Sequence, residues 1–168
     1  TLVENPIVAM WVGKSLSKMK EQADEQGLPA DTAIAEYAPG QFEINLLHSS
    51  DLLQACDHAL ELKRLIKAVA LQCGFEATFM PKPFHDLTGN GLHMNTSLWD
   101  AGRKKNLFEL AASKSTAKDK YGLGLTPLGY NFCGGVLEHA QAMSAITNPI
   151  VNSYKRMGVS APNSGATW

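Results

Sequence analysis

The sequence predicts an α+β fold, an antiparallel sheet with long helices packed on one side. Three observations point that way. Two long stretches, 51–73 and 127–147, repeat their apolar residues at helical spacing. Short strand-like runs lie around them, at 32–37, 41–47, 75–80 and 92–99. Neither internal repeats nor low-complexity tracts interrupt the pattern. With 168 residues, 45% hydrophobic and 18% charged, the chain suits one domain with a real core.

Taken in order, "KSLSKMKEQADEQ" (14–26) predicts a charged helix with Leu16 and Met19 on one side, stopped by Gly27 and Pro29. "TAIAEY" and "QFEINLL" predict two strands joined at Ala38-Pro39-Gly40, a turn signal. Ser50 is the expected cap of the helix over 51–73, which carries Leu52, Cys56, Leu60, Ile66 and Val69 at helical spacing and ends at Gly74. "FEATFM" (75–80) predicts a strand. After Trp99, residues 100–120 are polar and lysine-rich and predict a hairpin tip and a mobile surface loop. Thr126 and Pro127 suit the cap and first turn of a helix over 127–147, striped by Leu128, Phe132, Val136, Ala140 and Met143.

Charge narrows the function. Fifteen basic and 16 acidic residues leave a net charge of −1, so there is no field for nucleic acid or an anionic membrane. No apolar run reaches the length of a membrane span, and no basic-then-apolar leader opens the chain. Cys56, Cys73 and Cys133 are odd in number and widely spaced, which predicts buried reduced thiols and, by default, a cytoplasmic setting. A start at Thr1 and an end on Trp168 suggest a fragment of a longer polypeptide.

Two sets of polar residues stand out. If Pro39-Gly40 is a hairpin tip, Glu36 pairs with Glu43, and two carboxylates face each other on the side that also carries Gln41 and Asn45. Solvent, a shared proton, a nearby arginine or a divalent cation would each relieve that repulsion. Pro-Gly also favours a type II turn, which fits hairpin twist poorly and leaves the register open. The second set is "TGNGLHMNTSLWD" (88–100). Its alternation puts Leu92, Met94, Thr96 and Leu98 on one side, and His93, Asn95 and Ser97 on the other. A buried face of His, Asn and Ser needs partners. Gly89 and Gly91 permit close backbone approach, but a phosphate loop would feed a helix and this one feeds a strand.

"KPFHDLTGNGLHMNTS" (82–97), "EYAPGQFEINL" (36–46) and "NPIVNSYKR" (148–156) together resemble three signature segments of the glutamine synthetase family, in family order and spacing. The resemblance covers nearly the whole chain from about residue 15 and identifies residues 1–168 as part of that catalytic domain. Its N-terminal domain and the C-terminal part of the catalytic domain are then absent. It implies an ATP-dependent ligase that phosphorylates the γ-carboxylate of L-glutamate and condenses it with ammonia or a small amine. It also implies two or more Mg²⁺ or Mn²⁺ ions and, in the full-length parent, a homo-oligomer with sites between subunits.

Residue by residue, the resemblance implies Glu36, Glu43 and His93 as metal ligands. Thr88, Gly89, His93 and Arg156 would bind substrate glutamate, with Arg156 also catalytic. Asn95, Ser97, His48 and Lys82 would bind ATP. Arginine suits a carboxylate because its guanidinium offers a planar bidentate fork.

Two departures bear on the acceptor. Asn95 stands where many family members carry a second histidine, and "MGVSAPNSGATW" holds no acid where the family carries a flap glutamate. Both features are more like the γ-glutamylamide ligases, whose acceptors are methylamine, ethylamine or polyamines. A non-catalytic relative is the other alternative; a guanidino kinase lacks these motifs. The 168 residues alone are expected to be inactive, because further carboxylates and arginines lie outside them.

Overall fold

The computed structural model describes residues 6–110, 119 and 121–158. Its elements are α1 (Pro6–Glu25), β1 (Ala30–Ala35), β2 (Phe42–Leu46), α2 (Leu52–Gln72), α3 (Pro127–Glu138), α4 (Ala140–Thr147) and α5 (Val151–Gly158). The fold is α+β. The described residues fall into two compact units, one of 6–90 with 156–158 and the other of those between 91 and 155.

In the first unit β1 and β2 form an antiparallel hairpin, and α1 and α2 pack on the face that carries Ile44 and Leu46. The core gathers Met19, Ala23, Leu28, Ala30, Leu62, Leu65, Val69 and Ala70, with Leu16, Ile66 and Ala77 against it. Each fully buried aliphatic side chain contributes about 1.5–3 kcal/mol, so this small cluster carries the unit. Helix α1 starts earlier than its charged half suggests, and Met19 and Leu16 face the core as the spacing predicts.

Helix α2 is capped by Asp51, not Ser50. The Asp51 carboxylate accepts from the Leu53 and Gln54 amides, the geometry that satisfies two orphan donors. Its C-terminus turns at Gly74, with φ +78°. Residues 75–80 form no strand. The Phe75 amide returns to the Ala70 carbonyl, and the Thr78 hydroxyl accepts from the Met80 amide, local bonds that compete with a ladder.

The second unit holds a short turn, with isolated bridges Trp99–Asn106 and Glu109–Leu125. Asp100 closes it by accepting from the Lys104 and Lys105 amides, which fits the predicted hairpin tip. The rest of the predicted loop lies mostly outside the described residues. Residues 91–98 form no strand among the described residues, although their alternation suggested one. Every residue from 91 to 99 is exposed, and among the described residues no neighbouring strand covers either face.

Thr126 caps α3 as expected, accepting from Gly129 and donating to the Leu107 carbonyl, with Pro127 opening the helix. The single helix predicted over 127–147 is broken at His139, soon after the Gly134-Gly135 pair, and restarts as α4. Its stripe of Leu128, Phe132, Val136 and Met143 remains exposed. All three cysteines are free, as expected, but they are not buried: Cys56 and Cys133 are exposed, and Cys73 is half-buried.

Candidate functional site

The hairpin resolves the two glutamates. Ala35 pairs with Phe42, Ile34 with Glu43, and the Glu36 amide donates to the Gln41 carbonyl at 2.9 Å. Glu36 therefore faces Gln41 rather than Glu43, two residues from the expected register. The cause is the turn. The Gln41 amide closes Ala38-Pro39-Gly40 by donating to Ala38, and Gly40 sits at φ +75°, so a type II turn is held inside a four-residue loop. Glu36 and Glu43 stay on one face but become diagonal neighbours, a relation that spans roughly 7–8 Å. Both are half-buried. The offset relieves the like-charge contact without giving up the shared face.

Gln41 then ties this hairpin to residues 88–90. Its amide nitrogen donates to the Gly89 carbonyl at 3.0 Å and to Asn90 Oδ1 at 2.9 Å. Its amide oxygen accepts from the Thr88 hydroxyl at 2.7 Å and the Ala38 amide at 3.2 Å. Asn90 is held in turn, its amide donating to the Pro81 carbonyl and its side chain to the Met80 carbonyl, both at 2.8 Å. The segment from Met80 to Asn90 is thus a closed loop pinned at both ends.

Gly89 is boxed in. A Cβ there would meet the Pro81 carbonyl oxygen at 2.5 Å and Arg156 Cγ and Cδ at 3.0 and 3.1 Å. The close backbone approach read from the sequence has a physical object, the aliphatic stem of Arg156, 67 residues away in the chain. Lys82 is buried and its ammonium donates to the Leu87 carbonyl, so it braces this loop from within. His48 is exposed in the loop after β2, and His85 is exposed beside Asp86.

In the second unit, His93, Asn95 and Ser97 are exposed, and the Ser97 hydroxyl accepts from Trp99 Nε1 at 3.0 Å. Among the described residues, no three of His, Cys, Asp or Glu gather closely enough to hold a metal. In the first unit, Glu36 and Glu43 are hard oxygen donors of the kind that suits Mg²⁺ or Mn²⁺.

Sequence reasoning gave no role to Gln41, although it noted its place on the polar face. It also missed Asp119 and Tyr130. The Tyr130 hydroxyl donates to Asp119, whose other oxygen accepts from the Gly124 amide at 2.6 Å, and Tyr121 stands edge-on to the Tyr130 ring. The hydrogen bond from Tyr130 holds the Asp119 carboxyl below the usual carboxylate range. Desolvation, with Asp119 second, pushes the Tyr130 hydroxyl up. Eleven residues and a loop separate the two, a distance at which spacing carries no signal.

With this geometry in place, the comparisons with known proteins are specific. Residues 11–168 match the glutamine synthetase catalytic domain, and the chain belongs to that family. It is 47% identical over 133 residues to a glutamine synthetase of Rhizobium leguminosarum bv. phaseoli, covering 79% of this chain and 28% of that protein. It is 42% identical over 153 residues to a glutamate–methylamine ligase of Methyloversatilis universalis, covering 91% of this chain and 33% of that protein. Among solved structures, a GmaS/ADP complex superposes with a TM-score of 0.78 at 38% identity, covering 98% of this chain and 36% of the other. The chain therefore spans about a third of the length of the relatives it matches.

Proposed function

We propose that the protein containing this chain is an ATP-dependent glutamate ligase. The observation that carries the reading is the packing of Arg156 on Gly89, with the glutamate pair tied to the same loop through Gln41. Arg156 offers a fork for the carboxylate of L-glutamate, while the Gly89 carbonyl and Thr88 hydroxyl suit its amino group. The γ-carboxylate then attacks the terminal phosphorus of ATP, ADP leaves, and an amine displaces phosphate from the resulting acyl phosphate. Glu36 and Glu43 would hold one Mg²⁺ or Mn²⁺ ion and His93 would serve a second; such ions, when bound, neutralise phosphate charge. Asn95, Ser97, His48 and Lys82 are the candidates for the nucleotide side. The buried Lys82 would act there through the loop it braces. The working enzyme is a homo-oligomer, and these 168 residues alone are inactive.

Two acceptors compete. Ammonia, giving glutamine, is favoured by the 47% identity to a glutamine synthetase. A small amine is favoured by Asn95 and by the methylamine ligase's match across 91% of the chain. Phosphate release by the full-length protein, measured with glutamate, ATP and a panel of ammonium, methylamine and putrescine, tests both. Release that requires glutamate and one acceptor is the expected result. No release with any member overturns the reading.

A further inference from the structure

The Gln41 amide uses every hydrogen-bonding position it has. Two donors go to Gly89 O and Asn90 Oδ1, and the oxygen's two lone pairs accept from Thr88 and Ala38. Its own backbone carbonyl accepts from the Glu36 amide, and its amide donates to Ala38. One residue thus fixes the tip of the hairpin that carries Glu36 and Glu43, and also the three consecutive residues of the loop on which Arg156 lies. A carbonyl oxygen has two lone pairs, so the bond from Gln41 orients Gly89 O while leaving capacity for one more donor. Half-burial of Gln41, Thr88, Gly89 and Asn90 makes these bonds worth more than surface ones, since unmade partners there are partly shielded from water.

We infer that Gln41 is a positioning residue, which aims the Gly89 carbonyl at the amino group of the amino-acid substrate and locks the paired-carboxylate hairpin to the substrate loop. It acts through the residues it bonds, Gly89, Thr88 and Glu36. The inference rests on the ligase reading for its substrate and on the hydrogen bonds alone for its coupling. It also separates two substitutions that look equally mild. Gln41→Glu keeps both acceptor bonds but sets a carboxylate oxygen against two acceptors, Gly89 O and Asn90 Oδ1. Gln41→Met keeps the length and loses all four side-chain bonds.

The test uses the full-length protein with two readouts. Amide exchange across residues 80–90 reports the coupling, and steady-state kinetics report positioning. Both variants are expected to exchange faster over 80–90 while a peptide from α2 stays as protected as in the wild type. The KM for glutamate is expected to rise about ten-fold or more, which is what losing one or two partly buried hydrogen bonds gives, with kcat within about three-fold. Faster exchange with an unchanged KM overturns the positioning role. Unchanged exchange overturns the coupling. A wild-type protein that releases no phosphate with glutamate sinks the ligase reading instead, and the exchange result then decides the coupling by itself.

Discussion

Gly89 is the position where one added carbon does most damage. The nearest atom is a backbone carbonyl oxygen at 2.5 Å, which cannot rotate away as a side chain could. Gly89→Ala is expected to cost about 1–3 kcal/mol, the usual range for forcing atoms into a packed site, read as a lower urea midpoint. An unchanged midpoint would mean the loop yields freely. Asp119 and Tyr130 set a pH dependence of the second unit. Asp119 is depressed, so its contribution is in place above the unfolded carboxylate value of about 3.9 and is lost as pH falls through the folded one. Tyr130 is raised, so its contribution holds below about 10 and is lost as pH rises through its folded value. Tyr130→Phe is expected to move the Asp119 titration upward, followed by carboxyl carbon NMR. An unmoved titration would remove Tyr130 as the cause.

At the scale of elements, local chemistry was legible where it was self-contained. Thr126-Pro127 capped its helix, Gly74 ended another, and Leu16 and Met19 found the core. The cap of α2 was misplaced by one residue, since Ser50 and Asp51 are both good caps and only the amide geometry chooses between them. Asp51→Ala is expected to cost about 1 kcal/mol by thermal unfolding, whereas Ser50→Ala should cost nothing measurable. The predicted strands at 75–80 and 92–99 failed for a different reason. A strand is defined by its neighbour, and alternation shows only that a segment is suited to pairing. The motifs singled out Glu36, Glu43, Thr88, Gly89 and Arg156, but not Gln41, because its hydrogen bonds depend on Thr88–Asn90 arriving from 47 to 49 residues away. The diagonal setting of Glu36 and Glu43 carries its own prediction. Glu36→Gln with Glu43→Gln in the full-length protein should remove at least one Mn²⁺ site in a titration. A folded double variant with unchanged Mn²⁺ binding would exclude the pair as ligands.

At the scale of the whole molecule, exposed apolar surface is the dominant fact. Leu92, Met94 and Leu137 are at least three-quarters exposed, and Leu98, Trp99, Leu128 and Phe132 nearly half. Exposed apolar side chains gain free energy when they are buried against further polypeptide. The 168 residues expressed alone are therefore expected to self-associate in sedimentation velocity, and a clean monomer at micromolar concentration would contradict this. None of the helices among the described residues is long and apolar enough to cross a membrane. The exposed thiols have a practical consequence. Cys56 stands on α2 in the first compact unit and Cys133 on α3 in the second. With half-buried Cys73 changed to serine, the chain carries its own pair of attachment points for fluorophores or spin labels, one per unit. A distance read between them would report on the two units relative to each other, with no cysteine engineered in.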